Sequence, residues 1–130
     1  MRNLSFALTT RQMRERTKTV TRRKGTWWSK VLKPGDLVCA VEKSQGIPKG
    51  GLVRLGVIRV VSVTTEPLDE MQGGPTCGRN DEYGDAEAVR EGFPELDGAG
   101  FVAMFLAHMG GTPGQIVTRI EFEHVEVPHA

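Results

Sequence analysis

A lysine and a threonine three residues apart, followed by two arginines, form the part of this sequence best suited to chemistry. They are Lys18, Thr21, Arg22 and Arg23. A lysine acts as a general base toward a hydroxyl nucleophile when burial or neighbouring cations destabilise its ammonium, and the two arginines supply such cations. Because residues three apart point to opposite faces of a regular strand, joint action of Lys18 and Thr21 requires a bend or a helical turn. The alternative is that Lys18 contacts a phosphate and Thr21 packs.

The charge of the chain is strongly polarised. Residues 1–33 contain ten lysines and arginines and one acid, Glu15, whereas the whole chain has a net charge of +1. Such asymmetry indicates an anionic partner, for example a nucleic acid or a phosphate. Lys43 and Lys49, in a glycine-containing loop, extend the positive surface. A solvated basic face is the alternative interpretation.

Two adjacent indoles follow the basic stretch. Trp27 and Trp28 could form a stacking platform for a base, a contact worth about 1–3 kcal/mol per base. The alternative is that one ring joins the core and the other lines a surface cleft.

Several standard sites are excluded by the pattern. The glycines at Gly46, Gly50 and Gly51 lack the strand-to-helix context of a phosphate loop, and the sequence has no Gly-x-Ser-x-Gly elbow. His108, His124 and His129 do not have the spacing of metal ligands. We therefore predict neither a metal nor a cofactor.

Length and composition predict one domain over residues 1–130. The hydrophobic content of 38% is ordinary for a globular protein, and no apolar run approaches the roughly 18 residues of a membrane helix. The first residues lack the apolar segment of a signal peptide, so we expect a soluble, cytoplasmic protein. Cys39 and Cys77 are interpreted as reduced thiols. We expect a monomer or a weak homodimer.

The hydrophobic pattern alternates short strands and short helices. It predicts strands at residues 4–8, 37–41, 52–63 and 116–127, with Gly56 marking a bulge or a close approach. Helices are expected at residues 11–15, 85–92 and after Asp97, where Phe101, Met104 and Phe105 recur at helical spacing as core residues. Residues 66–83 read as a surface excursion containing Cys77. The expected architecture is a small curled sheet or barrel flanked by helices.

Five short motifs, in this order, resemble the ASCH domain family of the PUA-like superfamily, in its compact single-domain form. They are residues 17–23, residues 32–36, Glu91-Gly92-Phe93, residues 101–105 and residues 117–122. The resemblance spans nearly the whole chain. It implies an α+β fold, a PUA-like mixed β-barrel of about five to six strands flanked by two to three short helices. It also implies a cleft lined by the lysine motif and an association with RNA or modified nucleosides.

One branch of small ASCH proteins hydrolyses N4-acetylcytidine to cytidine with a lysine, a threonine and a distant glutamate. By this resemblance those residues are Lys18, Thr21 and Glu91, with Arg23 at the closing arginine of the motif. Thr21 would attack the acyl carbonyl, Lys18 would take its proton, and Glu91 would handle the leaving amine or orient the lysine. Arg22, Arg23, Trp27, Trp28 and Lys43 are the predicted substrate-binding residues.

Two other interpretations remain open. In the first, the protein is a non-catalytic nucleic-acid-binding module whose basic N-terminal third follows a phosphate backbone while an indole stacks on a base. In the second, it is an interaction protein that has lost the use of its pocket.

Overall fold

Five runs rich in β-branched residues form strands within the part of the chain that the computed structural model describes, residues 1–73 and 81–126. Hydrogen bonding orders these strands β1-β3-β4-β5-β2 in one sheet. Strands β1 and β3 are parallel, and the other neighbours are antiparallel. The strands are β1 (Arg2–Ser5), β2 (Val20–Lys24), β3 (Leu37–Val41), β4 (Arg54–Pro67) and β5 (Ile116–Val125).

The sheet is curled into a half-barrel that brings its two edge strands together. Arg23 of β2 donates a hydrogen bond from Nη2 to the main-chain oxygen of Ser5 in β1, at 2.6 Å. Strands at opposite edges of a flat five-stranded sheet would lie roughly 19 Å apart. The contact therefore requires the sheet to close on itself, and the opening between β1 and β2 becomes a cleft.

Five helical segments are described: α1 (Thr10–Arg14), α2 (Trp27–Val31), a 3₁₀ helix (Leu68–Gln72), α3 (Asp81–Arg90) and α4 (Gly98–Met109). Helix α4 begins at Asp97, whose carboxylate accepts a hydrogen bond from the backbone N–H of Gly100 at 2.7 Å, as an N-cap does. None of the helices in these ranges has the length and apolar character needed to cross a bilayer.

The core consists of two clusters of buried side chains. The first is dominated by residues of the sheet and includes Leu4, Phe6, Val38, Ile120 and Phe122. The second joins α3, α4 and the 3₁₀ helix to the start of β5 and includes Leu68, Met71, Ala88, Phe101, Val102, Phe105 and Val117.

Glycine 56 lies at a bulge, as the sequence predicts. Ala40 pairs with Gly56 and Val41 with Arg54, so one residue of β4 is skipped in the pairing with β3. The φ angle of Gly56 is +145°, a conformation that favours glycine. A second bulge lies between Val60 and Ser62 in the pairing with β5. Bulges increase the local bend of a strand, which is consistent with the curled sheet.

The expected α+β architecture, a curled sheet flanked by helices, is confirmed with five strands, and the described residues form four α-helices where two to three are expected. Strand β1 begins two residues earlier than predicted, and α3 begins four residues earlier. Helix α2 was not predicted. Its Trp28 and Val31 pack against the first core cluster, so tertiary burial stabilises a segment with no side-chain cap.

The surface excursion predicted for residues 66–83 is wrong over its first part. Strand β4 continues to Pro67 and pairs with β5 there, and Leu68 and Met71 of the 3₁₀ helix are buried. These two side chains are three residues apart, so a 3₁₀ turn directs both into the second core cluster. Cys77 lies outside the described residues.

Candidate active site

The cleft between the two edge strands contains a cavity of about 130 Å³. One wall is formed by residues 5–9, which follow β1, and another by Lys18, Thr21, Arg22 and Arg23 on and before β2. Glu91, at the end of α3, closes the polar side. The apolar side consists of Phe93 and of the α4 residues Phe101, Met104 and Phe105, with His108 and Met109 at its end.

The backbone turns just before β2, at Arg16 and Thr17, and both Lys18 and Thr21 line the cavity that follows. Arg16 has a positive φ of 61°, and Thr17 donates its N–H to the main-chain oxygen of Gln12. Lys18 therefore precedes β2, whereas Thr21 lies within it. Both side chains are buried. The two side chains therefore reach one cavity without both belonging to a regular strand, so the restriction to opposite faces does not apply to them.

The Lys18 ammonium group contacts Glu91 at two points. Nζ donates to the carboxylate Oε1 at 2.8 Å and to the main-chain oxygen at 2.8 Å. Lys18 itself is anchored by a hydrogen bond between its main-chain oxygen and Nε2 of His124, at 2.7 Å. The neighbouring Thr19 donates its N–H to the main-chain oxygen of Arg90. The lysine and the end of α3 are thus held together by side-chain and backbone bonds.

Gly92 allows α3 to end in this position. Its φ is +97°, and a Cβ added there would lie 2.8 Å from Cγ of Gln12. The amide of Gln12 donates to the main-chain oxygen of Gly92 at 3.2 Å. A larger residue would push α1 away from α3, and Glu91 would lose its position next to Lys18.

Thr21 and Arg23 form the second polar contact of the cavity. The hydroxyl of Thr21 accepts a hydrogen bond from Nε of Arg23 at 3.2 Å. The guanidinium of Arg23 also lies over the ring of Phe6, 4.9 Å from the centroid. Among the described residues, Arg23 makes no salt bridge. A cation therefore lies beside a hydroxyl oxygen that can accept its hydrogen bond.

Arg22 lies under the cavity in a network that the sequence did not predict. Its side chain is 0% exposed. Nη1 donates to Glu91 at 2.9 Å, and Nη2 donates to Glu66 and Glu87, each at 2.7 Å, and to the hydroxyl of Tyr83 at 3.0 Å. Arg119 of β5 completes the network through hydrogen bonds to both oxygens of Glu87. Because its donors are used in this way, Arg22 is a structural partner of Glu91; it also lines the cavity, and its contact with substrate stays a prediction.

Burial and charge change the pKa values of these groups. Burial lowers the pKa of Lys18, with Glu91 acting against this and Arg23 and Arg22 adding to it. Burial also lowers the pKa of Arg23, to about 10. The pKa of Arg22 is raised, because its three glutamates outweigh the effect of burial.

Glu87 and Tyr83 are affected by the same network. Burial alone would raise the pKa of Glu87, but the hydrogen bonds and charges of Arg119 and Arg22 lower it to about 2. Burial, partly offset by the charge of Arg22, raises the pKa of Tyr83 to about 12. Glu87 is therefore a permanent anion near neutral pH, and Tyr83 a permanent hydrogen-bond donor.

The structure separates the remaining predicted residues from the cavity. Trp28 and Lys43 line a second, more open depression of about 380 Å³. Trp27 is 53% exposed, packs edge-on against Trp28 and lies under the guanidinium of Arg2. Arg23 and Ser5 line both the cavity and the depression, so the two are neighbours.

The residues missed by the sequence reasoning are Glu66, Glu87, Tyr83 and Arg119. Each of them lies 20 residues or more from Arg22 in the sequence, and no local pattern connects them. The α4 side chains were assigned to the core. Phe101 and Phe105 are indeed buried there, but they also line the cavity, together with Met104.

Within residues 1–73 and 81–126, no group of three His, Cys, Asp or Glu side chains is arranged to hold a metal ion.

Comparison with known proteins gives matches in structure only. No family model and no curated protein matches the sequence. A protein from Enterococcus faecalis V583, described as DUF984, has a TM-score of 0.58 at 14% identity and covers 96% of this chain and 76% of its own. An ASCH domain from Lactobacillus crispatus JV V101 has a TM-score of 0.55 at 12% identity, covering 94% and 77%. The chain therefore has the fold of an ASCH domain, as its motifs predict.

Proposed function

We propose that this protein, which has the fold of an ASCH domain, is an amidohydrolase that releases cytidine from N4-acylated cytidine. The observation that supports this most directly is that Lys18, Thr21 and Glu91 line one small cavity. These are the three residues that the resemblance to small ASCH hydrolases indicates. A buried lysine of lowered pKa and a hydroxyl that line the same cavity are the groups that general-base catalysis needs.

The hydrogen bonds of Lys18 are consistent with a neutral amine. A neutral lysine amine has two N–H donors and one lone pair, whereas an ammonium has three donors. Two acceptors are present, both from Glu91. Among the described residues no third acceptor contacts Nζ. In the proposed arrangement Glu91 holds both N–H bonds of the amine, and its lone pair accepts the proton of Thr21, which lines the same cavity.

In the proposed reaction, Oγ1 of Thr21 attacks the acyl carbonyl carbon while its proton passes to Nζ of Lys18. The tetrahedral intermediate collapses, the C–N bond breaks, and the N4 amine of cytidine leaves with the proton from Lys18. Water then cleaves the acyl-threonine ester, with Lys18 again accepting and returning a proton. The products are cytidine and a carboxylic acid. Glu91 orients the lysine amine, and the positive charge of Arg23 stabilises the threonine oxygen as it loses its proton.

The size of the cavity fits one ring. Its volume of about 130 Å³ is close to the ~150 Å³ of an apolar cavity that admits benzene. A single pyrimidine ring or its acyl group can therefore enter, whereas two stacked bases cannot. The aromatic and methionine side chains of α4 supply the apolar contact such a ring requires.

The test is to incubate the purified protein with N4-acetylcytidine and to follow cytidine release by chromatography. We expect turnover by the unmodified protein and a loss of at least about 100-fold in Lys18→Met, Thr21→Val and Glu91→Gln, the usual scale for general-base and nucleophile removal. Thr64→Val is the matched control, because Thr64 is an exposed threonine of β4. No release by the folded, unmodified protein would contradict the proposal.

Nucleic-acid binding is the second candidate function. The observation in its favour is the second depression, whose lining includes Arg23, Lys43 and the indole of Trp28 and contains no acidic residue. Phosphate contacts by lysine and arginine make binding strongly dependent on salt. We expect the affinity for a single-stranded RNA to fall as salt rises and to weaken in Lys43→Ala. An affinity independent of salt would exclude this function.

A further inference from the structure

The Glu91 carboxylate is shared between two cations. Oε1 accepts from Nζ of Lys18 at 2.8 Å and Oε2 accepts from Nη1 of Arg22 at 2.9 Å. A carboxylate paired with Lys18 alone would hold the lysine as an ammonium, because an opposite charge at this distance favours the charged form. Such a pair would make Lys18 a poor base.

We propose that Arg22 is a positioning residue that shares Glu91 with Lys18 and thereby leaves the lysine amine able to accept a proton. The inference rests on the proposed function, in which Lys18 is the base. Arg22 contacts no part of the substrate in this account and acts only through Glu91 and through its own charge.

The charges of the cluster support this role. The largely buried groups are three carboxylates and four cationic side chains: Glu66, Glu87, Glu91, Lys18, Arg22, Arg23 and Arg119. With Lys18 as an ammonium the cluster has one excess positive charge, and with Lys18 as a neutral amine it is balanced. The more exposed Arg90 and Glu121, which contact Glu87 and Arg119, have opposite charges and cancel. A buried cluster favours zero net charge, so the proton of Lys18 is the one most easily lost.

The titratable and charged groups that face Lys18 come from β2, the end of α3, β5 and α4. Strand β2 supplies Arg22 and Arg23, and α3 supplies Glu91. From β5, His124 contacts the main-chain oxygen of Lys18 and not its amine. From α4, His108 is an exposed residue at the edge of the cavity. Arg22 is therefore the cation whose removal releases Oε2 of Glu91 while both acceptors of the lysine amine stay in the protein.

The geometry also explains why an arginine is required here. Its guanidinium reaches Glu91 on one side and Glu66 and Glu87 on the other, from different nitrogens. A lysine has one nitrogen and cannot span these partners with the same planar arrangement. Glu66 and Glu87 hold Arg22 in place, and this keeps Oε2 of Glu91 occupied.

The experiment measures the titration of Lys18 directly by NMR of protein labelled with 13C-lysine, in the absence of substrate. The signal of Lys18 is identified as the one absent in Lys18→Met. The other lysines are all exposed: Lys24, Lys30, Lys33, Lys43 and Lys49. We expect the Lys18 midpoint to lie below the ordinary lysine value of 10.5 and to rise by about one pKa unit or more in Arg22→Gln, because a cation is removed and Glu91 is left to the lysine alone.

A second variant leaves the net charge of the cluster unchanged, and it is used if the single change prevents folding. Arg22→Met combined with Glu66→Gln removes one charge of each sign, and an upward shift smaller than that of Arg22→Gln is expected, because only the release of Oε2 of Glu91 then acts on the lysine. Arg59→Met is the control, because Arg59 forms an exposed pair with Glu123 at 2.7 Å. An unmoved Lys18 midpoint in either folded Arg22 variant would overturn the inference.

The kinetic measurement separates positioning from a merely structural role. In the Arg22 variants, the rise of kcat/KM for N4-acetylcytidine with pH should move upward together with the NMR midpoint. A structural role would lower kcat/KM equally at every pH. If the unmodified protein has no turnover, the proposed function fails, and the NMR titration alone still decides whether Arg22 controls the charge of Lys18.

Discussion

Lys18 and Glu91 are 73 residues apart in the sequence, yet the side chain of one contacts both the carboxylate and the main-chain oxygen of the other. The main-chain oxygen cannot rotate away as a carboxylate can, because its position is fixed by the end of α3. The lysine amine therefore keeps one partner whatever the rotamer of Glu91.

Gly92→Ala should destabilise the protein by about 2–4 kcal/mol, combining a strained φ with a steric clash against Gln12. The matched control is Gly35→Ala, since Gly35 has a similar φ of +94° and no atom within 4 Å of an added Cβ. The free energy of unfolding, measured in urea, should fall further for Gly92→Ala than for Gly35→Ala. Equal losses would show that the contact between α1 and α3 is not tight.

Arg22→Ala should cost about 3–5 kcal/mol of stability, because three carboxylates lose a buried partner. The exposed arginine Arg59 also pairs with a glutamate, and Arg59→Ala should cost less than about 1 kcal/mol. Urea unfolding of the two variants provides the comparison. Similar small losses would mean that water replaces Arg22 in its site.

Glu87 should contribute a pH-dependent part of the stability. Its folded pKa of about 2 lies below its ordinary value of 4.5, so the contribution is complete above pH 4.5 and is lost as the pH falls toward 2. Glu87→Gln should therefore be less stable than the unmodified protein at pH 6, by on the order of 1–2 kcal/mol, with a smaller difference near pH 2. Thermal unfolding at several pH values measures this. A difference that does not change with pH would contradict the role given to Glu87.

Thr21→Ser and Thr21→Val separate the hydroxyl from the shape of the side chain. Serine keeps the oxygen that accepts from Arg23, whereas valine keeps the volume and loses the oxygen. We expect Thr21→Ser to retain hydrolysis of N4-acetylcytidine within about tenfold and Thr21→Val to lose at least about 100-fold, as for other activated nucleophiles. Activity in the valine variant would exclude Thr21 as the nucleophile.

Local chemistry in the sequence was sufficient for several features of the fold. The helix after Asp97, the bulge at Gly56 and the final strand follow from residues that are neighbours in the chain. Helix α2 and the 3₁₀ helix did not follow in this way. Trp28, Leu68 and Met71 are held in place by packing against segments distant in sequence, and no periodicity of their own indicates it.

The same distinction, between residues that are close in the sequence and residues that only the fold brings together, applies to the candidate site. The basic stretch identifies Lys18, Thr21 and Arg23 because they are close in sequence, and the family resemblance adds Glu91. The carboxylates around Arg22 come from β4 and α3, and only the folded sheet brings them together. Two adjacent arginines look alike in a sequence, so the salt-bridged environment of Arg22 and the position of Arg23 beside Thr21 could not be predicted.

The position of β2 in the sheet has a consequence for the order in which the protein is made. Strand β2 pairs with β5, whose residues, Ile116–Val125, are synthesised about a hundred residues after those of β2. A ribosome therefore releases the lysine and the threonine long before the strand that holds them exists. During synthesis the polar residues of β2 remain in contact with water, and the cleft is completed as one of the last events of folding.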